Sequence, residues 1–135
     1  MAGMSVVIDT NVIVSAIISP SSKPGLILEM TLNGELSPHY STAIMDEYED
    51  VLFRPKFGFK HRSVIHLLDR IVDVGTLVNP KPSTIILPDE SDRVFYDAAK
   101  SVDAYLVTGN LKHYPPEDFV VKPVDFILLV SGGDL

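Results

Sequence analysis

Five short runs that read as extended chain, "SVVID", "LSPHYS", "TLVNP", "AYLVT" and "FVVKP", are separated by stretches whose apolar residues recur every three or four positions. This alternation of periods constrains the fold more than any other feature. A buried strand followed by an amphipathic helix brings the chain back to lay the next strand parallel to the first. The helical stretches are "PGLILEMTLNG", with Leu26, Ile27 and Met30 at helical spacing; "STAIMDEYEDVLF", capped by Ser41 or Thr42; "HRSVIHLLDRIVDVG", stopped by Gly75; and "DESDRVFYDAAKSV", after Pro88. "VDFILLV" reads as a closing helical turn. Nine of the ten prolines fall between these elements or at their edges, where a missing N–H does no harm, and the tenth, Pro38, stands within "LSPHYS". The pattern predicts one domain over residues 1–135, a three-layer α/β/α sandwich around a mostly parallel sheet. Residues 1–4 are given no part in it. Ligands of such sheets bind beyond the carboxyl ends of the strands.

With 46% hydrophobic and 21% charged residues, the chain can bury enough apolar surface to offset the entropy of ordering. It has no cysteine, which excludes a disulfide framework and a thiolate metal site and makes the cytoplasm the expected compartment. Asp9 and Asn11 interrupt the one N-terminal apolar run, so neither a signal peptide nor a membrane span is expected. A net charge of −7 argues against broad electrostatic binding of nucleic acid. A polyanion would need local help, and a bound divalent cation is one source of it.

"VVIDTNVIV" places Asp9 at the carboxyl end of the first strand, with Thr10 and Asn11 after it. Such an Asp either caps the following helix or stands in a site. The other acids sort by helical angle. Ile44, Tyr48, Val51 and Leu52 form the buried stripe of one helix; Glu47 is the acid nearest that stripe, while Asp46, Glu49 and Asp50 fall outside it. In the later helix Phe95, Ala98, Ala99 and Val102 form the stripe, Asp92 lies over it, and Asp97 is expected to face water. For Glu47 the alternative is an ordinary helix-edge glutamate, and for Asp92 a first-turn acid favoured by the helix dipole, with Asp89 as cap. Carboxylates brought together repel unless a cation joins them. Oxygen donors alone, with four histidines out of zinc-like spacing, suit a hard ion such as Mg²⁺ or Mn²⁺.

In order and spacing these motifs resemble the PIN-domain nucleases, especially the toxin components of bacterial and archaeal toxin–antitoxin pairs, VapC-like proteins among them. "VVIDTNVIVSA" is similar to the family's first strand and its first acid, Asp9; "STAIMDEYEDVLFRPKF" to the helix with the second, Glu47; and "PDESDRVFYDAAKSVDAYLVTGN" to the segment in which a third, Asp92, opens a helix. "VVKPVDFILLV" fits the family's close. The resemblance implies a metal-dependent endoribonuclease in which Asp9, Glu47 and Asp92 hold Mg²⁺ or Mn²⁺ and water attacks the phosphodiester. Thr10, Asn11 and Thr108 would orient Asp9 or that water, or else cap strand ends. Many members carry a fourth acid where this chain has Asn110, which can offer a carbonyl oxygen to the ion but no charge, and a later position acidic in some relatives is His113. RNA as substrate, an antitoxin protein as partner and a homodimer are implied in the same way.

"RPKFGFKHR" interleaves Phe57 and Phe59 with basic residues, so Arg54, Lys56, Lys60 and Arg62, with Lys23 and His61, are candidates for RNA contact. The alternative is a solvated linker with both rings in the core. Two other functions stay open. An aspartyl-phosphate protein could use Asp9, Thr108 and Lys112, but leaves Glu47 idle and finds Asn11 where a second acid belongs. A chain that kept the fold and lost catalysis would be an RNA- or protein-binding module.

Overall fold

A computed structural model describes residues 3–132. Five strands, β1 (Ser5–Ile8), β2 (Ser37–Tyr40), β3 (Thr76–Leu77), β4 (Tyr105–Val107) and β5 (Val120–Val121), form one sheet in the order β3-β2-β1-β4-β5, with every pairing parallel. Successive strand residues point to opposite faces. In β1 Val6 and Val7 are both fully buried, and in β4 so are Leu106 and Val107, so both faces are covered. The expected α/β sandwich is what the chain forms.

Between β1 and β2 the chain makes two helices, α1 (Thr10–Ile18) and α2 (Lys23–Leu32), where the periodicity predicted only the second in outline. Gly25 lets them join closely: a Cβ there would come within 2.1 Å of the Pro20 carbonyl oxygen. α3 (Thr42–Leu52) starts at Ser41, whose hydroxyl accepts from the Ile44 N–H at 3.1 Å, and α4 (His61–Val74) ends before Gly75. A 3₁₀ turn at Glu90–Asp92 leads into α5 (Arg93–Val102), which packs across β2, β1 and β4. The closing segment is a full helix, α6 (Pro123–Val130), rather than a turn.

The core is built from the predicted stripes. Ile44, Tyr48 and Leu52 of α3 and Phe95, Ala98 and Ala99 of α5 are buried with the strands and with Phe126 of α6. Each fully buried large apolar side chain contributes about 1.5–3 kcal/mol. Of the apolar residues read at helical spacing in α2, Ile27 is fully buried and Leu26 is 42% exposed. Of the four leading residues left out of the fold, Met1 and Ala2 lie outside the described residues. Met4 takes part: it packs against the core, and its carbonyl accepts from the Ser37 N–H at 2.9 Å. Among the described residues no single helix is long and apolar enough to cross a membrane.

Candidate active site

From β1 the chain builds outward through β2 to β3, then crosses back to lay β4 on the other side of β1 and β5 beyond it. Connections leaving β1 and β4 therefore diverge, and in sheets of this topology the ligand crevice lies past the carboxyl ends of such a strand pair. Ile8 is in register with Val107, so the next residues, Asp9 and Thr108, stand side by side at its floor. The Asp9 N–H donates to the Val107 carbonyl at 3.0 Å and the Thr108 N–H to that of Val121 at 3.0 Å, continuing the ladder into the crevice.

Asp9 is 4% exposed. Its Oδ2 accepts from the Thr108 hydroxyl at 2.9 Å and from the Tyr114 hydroxyl at 2.9 Å. Its Oδ1 accepts only a long 3.5 Å contact from the Asn11 N–H, the helix-capping bond for α1. Capping is thus present but weak, and the strong bonds gather on one oxygen. The Thr108 hydroxyl, while donating to Asp9, accepts from the Asn110 N–H at 3.1 Å. Asn11 Oδ1 accepts from the Gly109 N–H at 3.0 Å and so ties the two strand ends together. Thr10 is buried beside Asp9, and its hydroxyl has no hydrogen-bond partner among the described residues.

Glu47 and Asp92 both lie near enough to Asp9 to feel its charge. The Tyr48 hydroxyl donates to the Ile8 carbonyl at 2.5 Å and fixes α3 against the end of β1, leaving its neighbour Glu47 half-buried. Burial raises the Glu47 pKa; the charge of Asp50 adds to this, Arg54 opposes it, and Asp9 and Asp89 raise it further. Asp92 is buried, and its carboxyl is pushed up to about 6, first by burial and then by the charge of Asp9, against the opposing effect of His113. The Tyr114 phenol is pushed up by burial and by the charges of Asp9 and Asp92. Each of these groups feels Asp9, so the acids predicted far apart in sequence share one electrostatic field. As the side chains stand, no group of three or more Asp, Glu or His among the described residues is close enough to grip an ion.

The sequence reading missed several residues here. Tyr114 lies in an irregular loop with no period to mark it. His113, noted only for the acid it replaces, places Nδ1 3.0 Å from Asp92 Oδ2. Asn110, expected to join the site, has an exposed residue position and contributes its backbone N–H to Thr108. Asp97, expected to face water, is 7% exposed. The 77–87 segment folds back over that side of α5, which a helical wheel cannot anticipate.

Of the basic residues, Arg54 is near enough to Glu47 to act on its carboxyl. Arg54 pairs with Asp50 at 2.9 Å, Lys56 sits 5.0 Å over the Phe57 ring, Lys60 begins α4 and Arg62 is exposed. Phe59 packs against the core as the linker alternative required, while Phe57 stacks on Phe59 at 5.3 Å.

The donor set fits a hard cation. Asp9 Oδ1 has spare lone pairs, the Thr10 hydroxyl is unpartnered, and mutually repelling carboxylates are gathered without cysteine. A family model for the PIN domain matches residues 5–112. Over 111 residues the chain is 31% identical to an uncharacterized protein from Methanocaldococcus jannaschii, an overlap that covers 79% of this chain and 71% of that protein. No solved structure matches the chain.

Proposed function

This chain belongs to the PIN domain family, whose members are generally nucleases, and from that premise we propose that it is a Mg²⁺- or Mn²⁺-dependent endoribonuclease acting as the toxin of a toxin–antitoxin pair. The observation that carries the reading is the state of Asp9: a buried carboxylate with Oδ2 held by two hydroxyls and Oδ1 nearly unengaged, in the field of Glu47 and Asp92.

Asp9, Glu47 and Asp92 would hold the ion, which when bound lowers the pKa of a water and neutralises charge on a phosphodiester. Thr108 and Tyr114 keep the Asp9 carboxylate from rotating, so that the same oxygen is always presented. Asn11, through the Gly109 N–H, holds the β1 and β4 ends at fixed separation. His113 restrains Asp92 through Oδ2. A chain of charge −7 would gain its hold on RNA from the ion and from local cations, for which Lys56, over the Phe57 ring, and Lys60 and Arg62, further along the chain, are the candidates.

The test is cleavage of pooled RNA with Mn²⁺, with EDTA, and with Asp9→Asn and Asp92→Ala. The reading expects cleavage that EDTA abolishes and that each substitution lowers at least about 100-fold, the upper effect of disturbing a metal site. Cleavage that survives EDTA and both substitutions would refute it. The second reading, a binding module without catalysis, draws on Asn110 standing exposed where the resemblance expects an acid. It expects no Mn²⁺-dependent rise in melting temperature at millimolar ion. The antitoxin and the homodimer rest on the resemblance, and light scattering of the purified chain with and without a co-expressed partner tests both.

A further inference from the structure

The Asp97 carboxylate is the buried charged group that the nuclease reading leaves unused. It projects from α5 with 7% exposure, and its Oδ1 is buried without a hydrogen-bond partner among the described residues. Asp97 forms part of the wall of two adjoining clefts. One, of about 510 Å³, is lined by Ser41, Thr42 and Asn79 together with the apolar Leu77, Val78 and Pro82. The other, of about 530 Å³, is lined by Lys81, Ser83, Lys100 and Ser101.

Two neighbouring cations, Arg93 and Lys100, are committed elsewhere, while Lys81, on the second cleft, is the candidate internal partner. Arg93 lies close enough for Asp97 to affect it, yet all five of its N–H donors are used: on Glu90 at 2.7 Å twice, on the Ser83 carbonyl and hydroxyl at 3.0 and 2.8 Å, and on the Ile85 carbonyl at 2.5 Å. The Lys100 ammonium is 3.6 Å from Glu117 and lies over the Tyr96 ring. A carboxylate oxygen removed from water and left without a donor is unfavourable, and a cation entering the cleft would remove that penalty. A metal ion is poorly suited, because no group of three acidic or histidine side chains is gathered here among the described residues. A nitrogen cation on an alkyl stem fits better: its donors meet Asp97 and the hydroxyl and amide groups, and its methylenes lie on Leu77, Val78 and Pro82.

We propose that the cleft between the start of α3 and α5 is a binding site for an alkylammonium or guanidinium group, with the Asp97 carboxylate as its anchor. Such a group comes from a free polyamine or from a Lys or Arg side chain of a peptide.

The full chain is titrated, at constant ionic strength, with putrescine, with agmatine and with a short Arg-containing peptide, using butanediol and NaCl as controls. Amide chemical shifts of residues 41–43, 77–82 and 94–97 are followed. Saturable shifts confined to these segments are expected with the amines and not with the controls, with affinity at least about 10-fold weaker in Asp97→Asn. Tighter binding of the peptide than of the free amines would identify a side chain as the source, and the reverse a polyamine. Asp97→Asn is near-isosteric, and Val94→Phe, which narrows the cleft while keeping the carboxylate, serves as a second blocking variant. Lys81→Ala tests an internal partner: amine binding should persist or strengthen in it. Shifts equal in the wild type and Asp97→Asn, or no saturable response to any amine, would overturn the proposal.

Discussion

Replacing Tyr114 with Phe removes one oxygen from the candidate active site and leaves the ring that fills the space, since Tyr114 is 5% exposed. That oxygen donates to Asp9 Oδ2 at 2.9 Å, beside the Thr108 hydroxyl at 2.9 Å. Burial and the charges of Asp9 and Asp92 push the phenol's pKa above its usual value, so it remains a donor at any working pH. A hydrogen bond to a charged acceptor is worth about 1.5–3 kcal/mol, and the acceptor stays buried after its donor is gone. The metal-free protein should therefore melt roughly 4–12 °C lower, at about 3–4 °C per kcal/mol for a domain of this size. With one donor left, Asp9 can exchange Oδ1 for Oδ2, and its hold on an ion should weaken by about 10–100-fold. Isothermal titration with Mn²⁺ at pH 7.5 measures this, with circular dichroism to show that the fold is kept. In an Asp9→Asn background the same substitution should have no further effect on Mn²⁺ affinity. A lower melting temperature with Mn²⁺ affinity unchanged would refute the reasoning, because Tyr114 would then be a packing residue whose hydroxyl only stabilises.

Three other perturbations have definite signs. The Asp92 carboxyl, at about 6 in the fold against an ordinary 3.8, keeps its proton between those values when the unfolded chain has released it. The contribution of Asp92 to metal-free stability should therefore be fullest below pH 4 and fall as pH rises to about 6, and Asp92→Asn should remove that part of the pH dependence of the melting temperature. Mn²⁺ affinity should rise over the same range as the ion displaces that proton. Tyr48→Phe, which removes the 2.5 Å bond to the Ile8 carbonyl, should lower urea-denaturation stability by about 1–2 kcal/mol. Gly25→Ala places a methyl 2.1 Å from the Pro20 carbonyl oxygen, so the α1–α2 connection must move, at a cost of about 1–3 kcal/mol by the same measurement.

What the sequence made legible was whatever repeats along it. The period of the strands and helices yields the parallel sheet, and the angle of Glu47 and Asp92 to their own apolar stripes places both acids inward, because a stripe and its sheet are fixed by many residues at once. Contacts between single residues from distant segments carry no such redundancy. Tyr114 meets Asp9 across a sequence separation of 105, through a loop whose course depends on the prolines that follow it. Asp97 failed for the complementary reason. Its angle does point away from the sheet, but Arg93 pins the 83–85 segment over that side of α5, and outward ceases to mean solvent-exposed.

The question raised by a carboxylate inside an apolar strand end has an answer in the balance of forces around it. Among the described residues no ion pair neutralises Asp9; two hydroxyls and one long amide contact hold it. Neutral donors can orient a carboxylate but cannot cancel its field, and that field is felt by Glu47, Asp92, Tyr48 and Tyr114 alike. A site that existed only to cap α1 would gain nothing from placing further acids within reach of Asp9, since each raises the cost of ionising the others. On the proposed reading the arrangement costs the metal-free fold stability, and a dication that bound the folded state alone would offset that cost. A cluster of mutually repelling acids at the ends of β1 and β4, in a sheet that otherwise follows its periodic pattern, is the local departure expected of a site rather than of a scaffold.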